Sequence, residues 1–210
     1  ERTVGGPAVC PAAAVSSNFA AIGVGQEALA SIRRPAAWTG IAGMRPTAGL
    51  VSRSGVYAGW PGTAASLGPL TRSVADQARL LDVLAGYDPE DPITALGVGK
   101  TPRSYCDALD AGALRGARIG VLREPIGANS EPESDDFRRV DDVFEAAVAD
   151  LARAGASLID PLVIPGMKDA LLQRGGGGNA DEAWRVYFAR GENAPFVSAD
   201  EMRASPEFAQ

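Results

Sequence analysis

The chain has 210 residues, 46% hydrophobic and 22% charged, an ordinary globular balance at a length that buries a sizeable core. A formal net charge of −6 argues against nucleic acid and anionic membrane as partners. Histidine is absent, which removes every Ser-His or Cys-His relay and the commonest metal ligand.

Cys10 and Cys106 are the only cysteines. Two scattered thiols form neither a disulfide framework nor a zinc site, so the expectation is a reduced, cytoplasmic setting with no metal and no cofactor. No segment approaches the length of a membrane span, and the first residues carry no basic-then-apolar signal pattern.

Taken in chain order, Pro11 to Ala21 reads as an alanine-rich helix, followed by a short buried strand around Ile22 to Gly25. Arg34 to Gly40 fits one helical turn, with Pro35 in a permitted early position. From Gly40 to Pro69 glycine and proline recur every few residues, which predicts loop with short strands. Ser73 to Gly86 is the clearest helix: Ser73 as N-cap, Asp76 three residues on, Val74, Ala78, Leu81 and Leu84 on one face, and Gly86 as the stop. Asp88 to Pro92 is a turn cluster and Gly97 to Arg103 a linker.

Further on, Ala117 to Leu122 and Ser157 to Ile164 are apolar strands flanking a helix from about Asp135 to Ala154, closed by Gly155. A connection of that length predicts parallel pairing with a right-handed crossover. Val140, Val143, Phe144, Ala147, Val148 and Leu151 are expected to face the sheet. Gly175 to Gly178 reads as a hinge rather than a phosphate loop, because no Lys-Ser/Thr follows it. Asp181 to Arg190 is the last predicted helix. The class is mixed α/β: a central sheet covered by helices, in one domain with core motifs at 5–92, the linker at 97–103, a βαβ unit at 116–165 and a helical region at 167–210.

Ser31 lies in Ala28-Leu29-Ala30-Ser31-Ile32-Arg33-Arg34-Pro35-Ala36, a small-residue turn. Taken alone, a serine there is most often a turn or cap residue. Its surroundings change that. Gly40-Ile41-Ala42-Gly43-Met44-Arg45-Pro46-Thr47 and Gly49-Leu50-Val51-Ser52 follow, then Ser66-Leu67-Gly68-Pro69-Leu70-Thr71-Arg72-Ser73-Val74, and Leu80 to Pro92. Together these segments resemble the amidase signature family, and nearly the whole chain, roughly Gly5 to Arg190, can be laid along the middle of that family's domain.

The resemblance implies amide C–N hydrolysis by a serine nucleophile, a second serine that relays its proton, and a neutral lysine, with backbone donors for the oxyanion. Ser31 matches the nucleophile, and Ala28, Leu29 and Ala30 match the oxyanion loop, with Leu29 and Ala30 where the family has glycines. Gln26-Glu27 replaces a Thr-Asp pair, with Glu27 expected to keep the carboxylate's structural hydrogen bonds. Gly5-Gly6-Pro7-Ala8-Val9-Cys10-Pro11 matches the glycine-serine stretch, with Pro7 in place of the relay serine. Proline tolerates a cis bond but cannot hand on a proton. Lys100 and Lys168 lie in unrelated downstream segments and read as surface residues, the family's lysine lying upstream of the glycine-serine stretch. Arg33 and Arg34 are given no catalytic role, and Cys10 reads as a small buried thiol.

Three readings follow from the resemblance and the residues. The first is an amidase-family hydrolase segment with impaired turnover, little or none in this chain alone. The second is a catalytically silent amidase-like protein that binds a ligand or another protein chain, and the third an unrelated α/β binding module. The implied partners are a small amide substrate and either a second copy or the remainder of the domain, with self-association or low stability expected of the isolated chain.

Overall fold

The computed structural model describes residues 5–56, 65–127, 130–172, 180–189, 191 and 193–207. Gly175–Gly178 and Arg190 lie outside them, as does the Lys168 side chain. The chain divides into two compact units, Glu1–Ala108 with Gly177–Gln210, and Leu109–Gly176. Mixed α/β structure is built from helices and two small sheets.

In the first unit, α1 (Val9–Ser16) begins two residues earlier than the sequence suggested and stops at Ser16 rather than Ala21. Pro11 falls in the first turn, where its missing N–H is not needed. The end is set by Asn18, whose φ of 61° turns the backbone left-handed, after which the Phe19 and Ala20 N–H groups donate back to the Ala14 carbonyl. Ala8, Ala12 and Val15 form the inward stripe.

Strand β1 (Ile22–Glu27) runs antiparallel to β3 (Ser66–Thr71), pairing Ile22 with Thr71 and Glu27 with Ser66. The two-residue β2 (Ala42–Gly43) pairs with the other side of β3, giving the order β1-β3-β2. β1 is therefore an edge strand of this sheet. Its first half is not buried as expected: Ile22 and Val24 are exposed. β3, flanked on both sides, is buried at five of its six positions.

Between β1 and β2 lies α2 (Arg33–Thr39), closed by Gly40 in the left-handed region at φ 69°. Ala8, Ala12, Ile32, Ala36 and Leu70 form the core between α1, α2 and the sheet. Approach is close enough that a Cβ on Gly25 would stand 2.8 Å from the Ala8 Cβ. Ile32 and Leu70 are fully buried; such burial stabilises by roughly 1.5–3 kcal/mol for each side chain.

Helix α3 (Val74–Leu84) starts as its sequence dictates: the Ser73 Oγ accepts from the Asp76 N–H at 3.1 Å and donates to its carboxylate at 2.7 Å. Its buried residues are Gln77, Ala78, Leu80 and Leu81, whereas Val74 in the first turn is exposed. Ala85, not Gly86, is the C-cap, and the Gly86 N–H donates to the Leu50 carbonyl. Short 3-10 turns follow at Pro92–Gly97 and Tyr105–Ala108.

In the second unit, β4 (Arg118–Gly120) and β5 (Ser157–Ile159) pair in parallel, joined through α4 (Asp135–Arg153), as the strand–helix–strand pattern required. Each strand is only three residues long. Beyond Gly120, hydrogen bonding continues irregularly, Val121 N–H to the Ile159 carbonyl and Leu162 N–H to the Val121 carbonyl, passing over Pro161, which has no N–H.

The Ser134 Oγ caps α4 by accepting from the Phe137 N–H at 3.1 Å. The expected inward face is rotated. Val140 and Val143 are about 70% exposed and Ala147 is exposed, while Phe137, Asp141, Phe144, Val148 and Leu151 are the less exposed stripe. Hydrophobic spacing alone fits two overlapping stripes on this helix, and contacts outside the helix select the second. A short α5 (Met167–Leu172) ends this unit's described part; α6 (Ala180–Ala189) and α7 (Ala199–Ala204) belong to the first unit. Among the described residues, no helix is long and apolar enough to cross a membrane.

Candidate active site

Ser31 sits on the tight connection from β1 to α2, half-buried, between the exposed Leu29 and the fully buried Ile32. The Gly5–Pro11 segment packs directly against it. The Ala8 N–H donates to the Ser31 carbonyl at 3.3 Å. A Cβ on Gly6 would stand 3.0 Å from the Ser31 Cα and 3.1 Å from its carbonyl oxygen, and Gly6 itself has φ 79°. Both the left-handed backbone and the contact require glycine at this position.

Glu27 shapes the turn from inside. It is 1% exposed, and one carboxylate oxygen accepts from the Ile32 and Arg33 N–H groups at 2.8 and 2.9 Å. The other oxygen takes the Arg33 side chain at 2.6 Å. Arg33 also donates to the Leu29 carbonyl, so carboxylate and guanidinium close the turn from both ends. Burial by itself would raise the Glu27 carboxyl. The hydrogen bonds from the Arg33 side chain and from the Arg33 and Ile32 N–H groups outweigh it and hold the group below the ordinary carboxylate value.

This clamp leaves the loop's own donors free. Among the described residues, nothing accepts a hydrogen bond from the N–H groups of Ala28, Leu29, Ala30 or Ser31, and the Ser31 Oγ has no hydrogen-bond partner. Leu29 and Ala30 also keep ordinary backbone angles: Asn18 is the one described non-glycine residue with positive φ. The turn is therefore built without the left-handed conformations that two glycines would permit.

Pro7 is exposed and joins Ala8, Pro11, Val24, Gln26 and Leu67 around a cleft of about 280 Å3. The Gly6–Pro7 bond is trans, Asp160–Pro161 being the cis peptide among the described residues. Opposite Glu27 in the strand register, the Ser66 Oγ is buried and has no hydrogen-bond partner among the described residues.

Of two other residues singled out in the sequence, Cys10 departs from its expected burial and Lys100 keeps its expected exposure. Cys10 is exposed rather than buried, because it points off the Ala8–Ala12–Val15 stripe of α1. Lys100 is exposed in the loop after the Pro92–Gly97 turn. Among the described residues, no group of three or more His, Cys, Asp or Glu side chains could hold a metal ion.

Sequence reasoning missed the buried pair of Arg53 and Asp91. Both are at most 1% exposed, and Asp91 takes the Arg53 Nε and Nη2 at 2.9 Å each and the Arg53 N–H at 2.8 Å. This pair ties the segment after β2 to the Asp88–Pro92 turn. The signal was Asp91 within Asp-Pro-Glu-Asp-Pro, an acidic residue between two prolines at the start of the following 3-10 turn.

The fold thus gathers an edge strand, a serine on the turn that follows it, a glycine segment pressed against that serine and unused N–H groups in one place. The Amidase family model matches residues 1–172, and the chain belongs to the amidase family. It is 40% identical over 160 residues to a glutamyl-tRNA(Gln) amidotransferase subunit of Thermosynechococcus vestitus, covering 76% of this chain and 31% of that relative. The corresponding subunit of Symbiobacterium thermophilum is 38% identical over 81% of this chain and 33% of its own. Among solved structures, the peptide amidase of Stenotrophomonas maltophilia superposes with a TM-score of 0.80 at 32% identity, covering 98% of this chain and 40% of that one. The chain thus spans about a third of the curated relatives it matches.

Proposed function

We propose that this chain is the nucleophile-bearing part of a hydrolase that cleaves a C–N amide bond, with turnover slowed by the replacement of a relay hydroxyl. Ser31 is the nucleophile in this reading, and the N–H groups of Ala28, Leu29 and Ala30 are the oxyanion donors. The observation that carries it is the packing of Gly6 and Ala8, on either side of Pro7, against Ser31, because a proton relay has to reach the nucleophile from that segment.

The chemistry follows from those groups. The Ser31 Oγ forms a bond to the amide carbon while the carbonyl electron pair moves onto oxygen, where the loop N–H groups can donate to it. The C–N bond then breaks as the departing nitrogen takes up the proton released from Oγ, leaving an acyl-serine that water hydrolyses to the acid and the free serine. The Oγ proton has to leave during attack, and Pro7 offers neither an O–H nor an N–H to carry it. Ser31 then keeps the low reactivity of an unactivated alcohol.

The test compares the full-length protein with its Ser31→Ala and Pro7→Ser variants on a panel of aliphatic and aromatic amides. Expected are slow turnover that depends on Ser31 and a gain on the order of a hundredfold or more in Pro7→Ser. Equal background rates in the parent and Ser31→Ala, with no gain in Pro7→Ser, overturn the hydrolase reading. That result would leave the second reading, a catalytically silent amidase-like protein that binds a ligand or another protein chain. Pro7 itself favours this alternative, as does the 55% exposed side chain of Leu29 on the loop where the carbonyl would dock.

A further inference from the structure

We propose that the cleft between α6 and α7 binds the aromatic ring of a neutral amide ligand whose polar end lies toward the Ser31 turn. The amide part rests on the reading given above; the aromatic part rests on the cleft itself. Its volume is about 600 Å3, within the range of small-molecule sites, and Tyr187, Phe188, Phe196 and Met202 form its apolar walls.

The rings are ordered rather than merely present. Trp184, Tyr187 and Phe188 fall three and four residues apart on α6 and so share one face. Phe188, 8% exposed, stacks on Trp184 with ring centres 5.4 Å apart and planes 19° from parallel. Tyr187 and Phe196 meet Phe188 edge-on, at 5.9 Å and 66° and at 6.0 Å and 70°. Beside these mutual contacts the cleft stays open, and Tyr187 remains 41% exposed. A further ring entering there gains the same edge-to-face contacts that the walls already make.

The lining also sets the ligand's charge. Among the described residues that line the cleft none is acidic or basic, and their strongest polar group is the Asn193 amide, which both donates and accepts. An anion or cation would lose its hydration without a partner, so a neutral ligand is favoured. Position relates the cleft to the candidate site. Gly55 lines this cleft and Val56 lines the cleft beside Pro7 and Gln26, so the two adjoin at neighbouring residues, whose Cα atoms are about 3.8 Å apart.

The experiment is calorimetric titration of the full-length protein with phenylacetamide, propanamide and phenylacetate. Phenylacetamide is expected to bind about tenfold or more tightly than either other probe, and Phe196→Ala to weaken it by about tenfold. Ala194→Trp, which fills the cleft without removing a wall, should abolish the preference, with an unchanged melting profile showing that the variant is folded. Equal affinity for phenylacetamide and propanamide, or a preference that survives Ala194→Trp in the folded protein, overturns the proposal. Ser31→Ala separates the two readings. It should leave phenylacetamide binding intact, so ring-selective binding without any Ser31-dependent turnover would remove the hydrolase reading alone.

Discussion

Carboxylates of the first unit and those of the Leu109–Gly176 unit are used in opposite ways. Glu27 and Asp91 are almost wholly buried, and each accepts backbone N–H groups as well as an arginine side chain. Glu145 and Asp160 instead meet Arg123 at the surface, where all three side chains keep a quarter or more of their exposure. The Arg123 guanidinium also lies over the Phe144 ring at 5.9 Å. A buried carboxylate bonded to backbone dictates the path of the chain, because moving it leaves donors unpaired in a dry environment. A surface cluster is screened by water and salt, and the strand ladder and the Ser134 cap already fix the fold there. Precision is thus concentrated in the first unit, where the candidate nucleophile stands.

The largest effect should come from breaking the pair at Arg53. Asp91→Ala leaves a fully buried guanidinium without its bidentate partner, and the expected loss of stability is about 3–5 kcal/mol in urea unfolding. A loss below about 1 kcal/mol would erase the distinction between buried and surface charge.

Glu27→Gln comes next, with an expected cost of about 1–3 kcal/mol, since a neutral amide replaces a charged acceptor of two backbone donors. Its acid dependence sharpens the point. The Glu27 carboxyl is held below its ordinary value in the folded protein, although burial alone would raise it, and Asp91 follows the same pattern. A depressed folded value contributes stability that is complete above the unfolded value of about 4 and is lost as the pH falls through the folded one. Melting measured from neutral pH downward should therefore fall less steeply below about pH 4 in Glu27→Gln than in the parent. Parallel curves would show that Glu27 is not a charged anchor of the turn.

The smallest change is expected at Arg123. Its pKa is driven upward by hydrogen bonds to Asp160 and Glu145, and both acids are lowered by Arg123 in turn. Exposure discounts those shifts as stability. Arg123→Ala should lower the melting temperature slightly at low salt and not at all near 1 M salt, where the screening length is about 3 Å. A salt-independent loss as large as that of Glu27→Gln would mean that the second unit too depends on specific charge geometry.

Local signals carried much of the fold. The Ser73 cap with Asp76 defined the start of α3 and Gly40 closed α2, because each acts within a few residues of chain. The strand–helix–strand order likewise implied parallel β4 and β5. Helix faces were less legible: on α3 and α4 the apolar spacing admitted neighbouring stripes, and Val74, Val140 and Val143 proved exposed. The length of α1 was also misjudged, since nothing in an alanine run announces that Asn18 will turn left-handed.

For the candidate site, sequence by itself determined the family, the turn at Ser31 and that position 7 carries no hydroxyl, since motif residues and side-chain chemistry are properties of the chain. Tertiary structure decided that Gly6 and Ala8 touch Ser31 and that Glu27 clamps the turn's far side while leaving the Ala28–Ser31 donors unused. It also decided the Arg53–Asp91 pair across 38 positions and the meeting of Phe188 with Phe196 beside Gly55. Spacing along a chain specifies contacts within a turn or a helix face. Which distant segments meet depends on how the core closes, and that is a property of the packed whole.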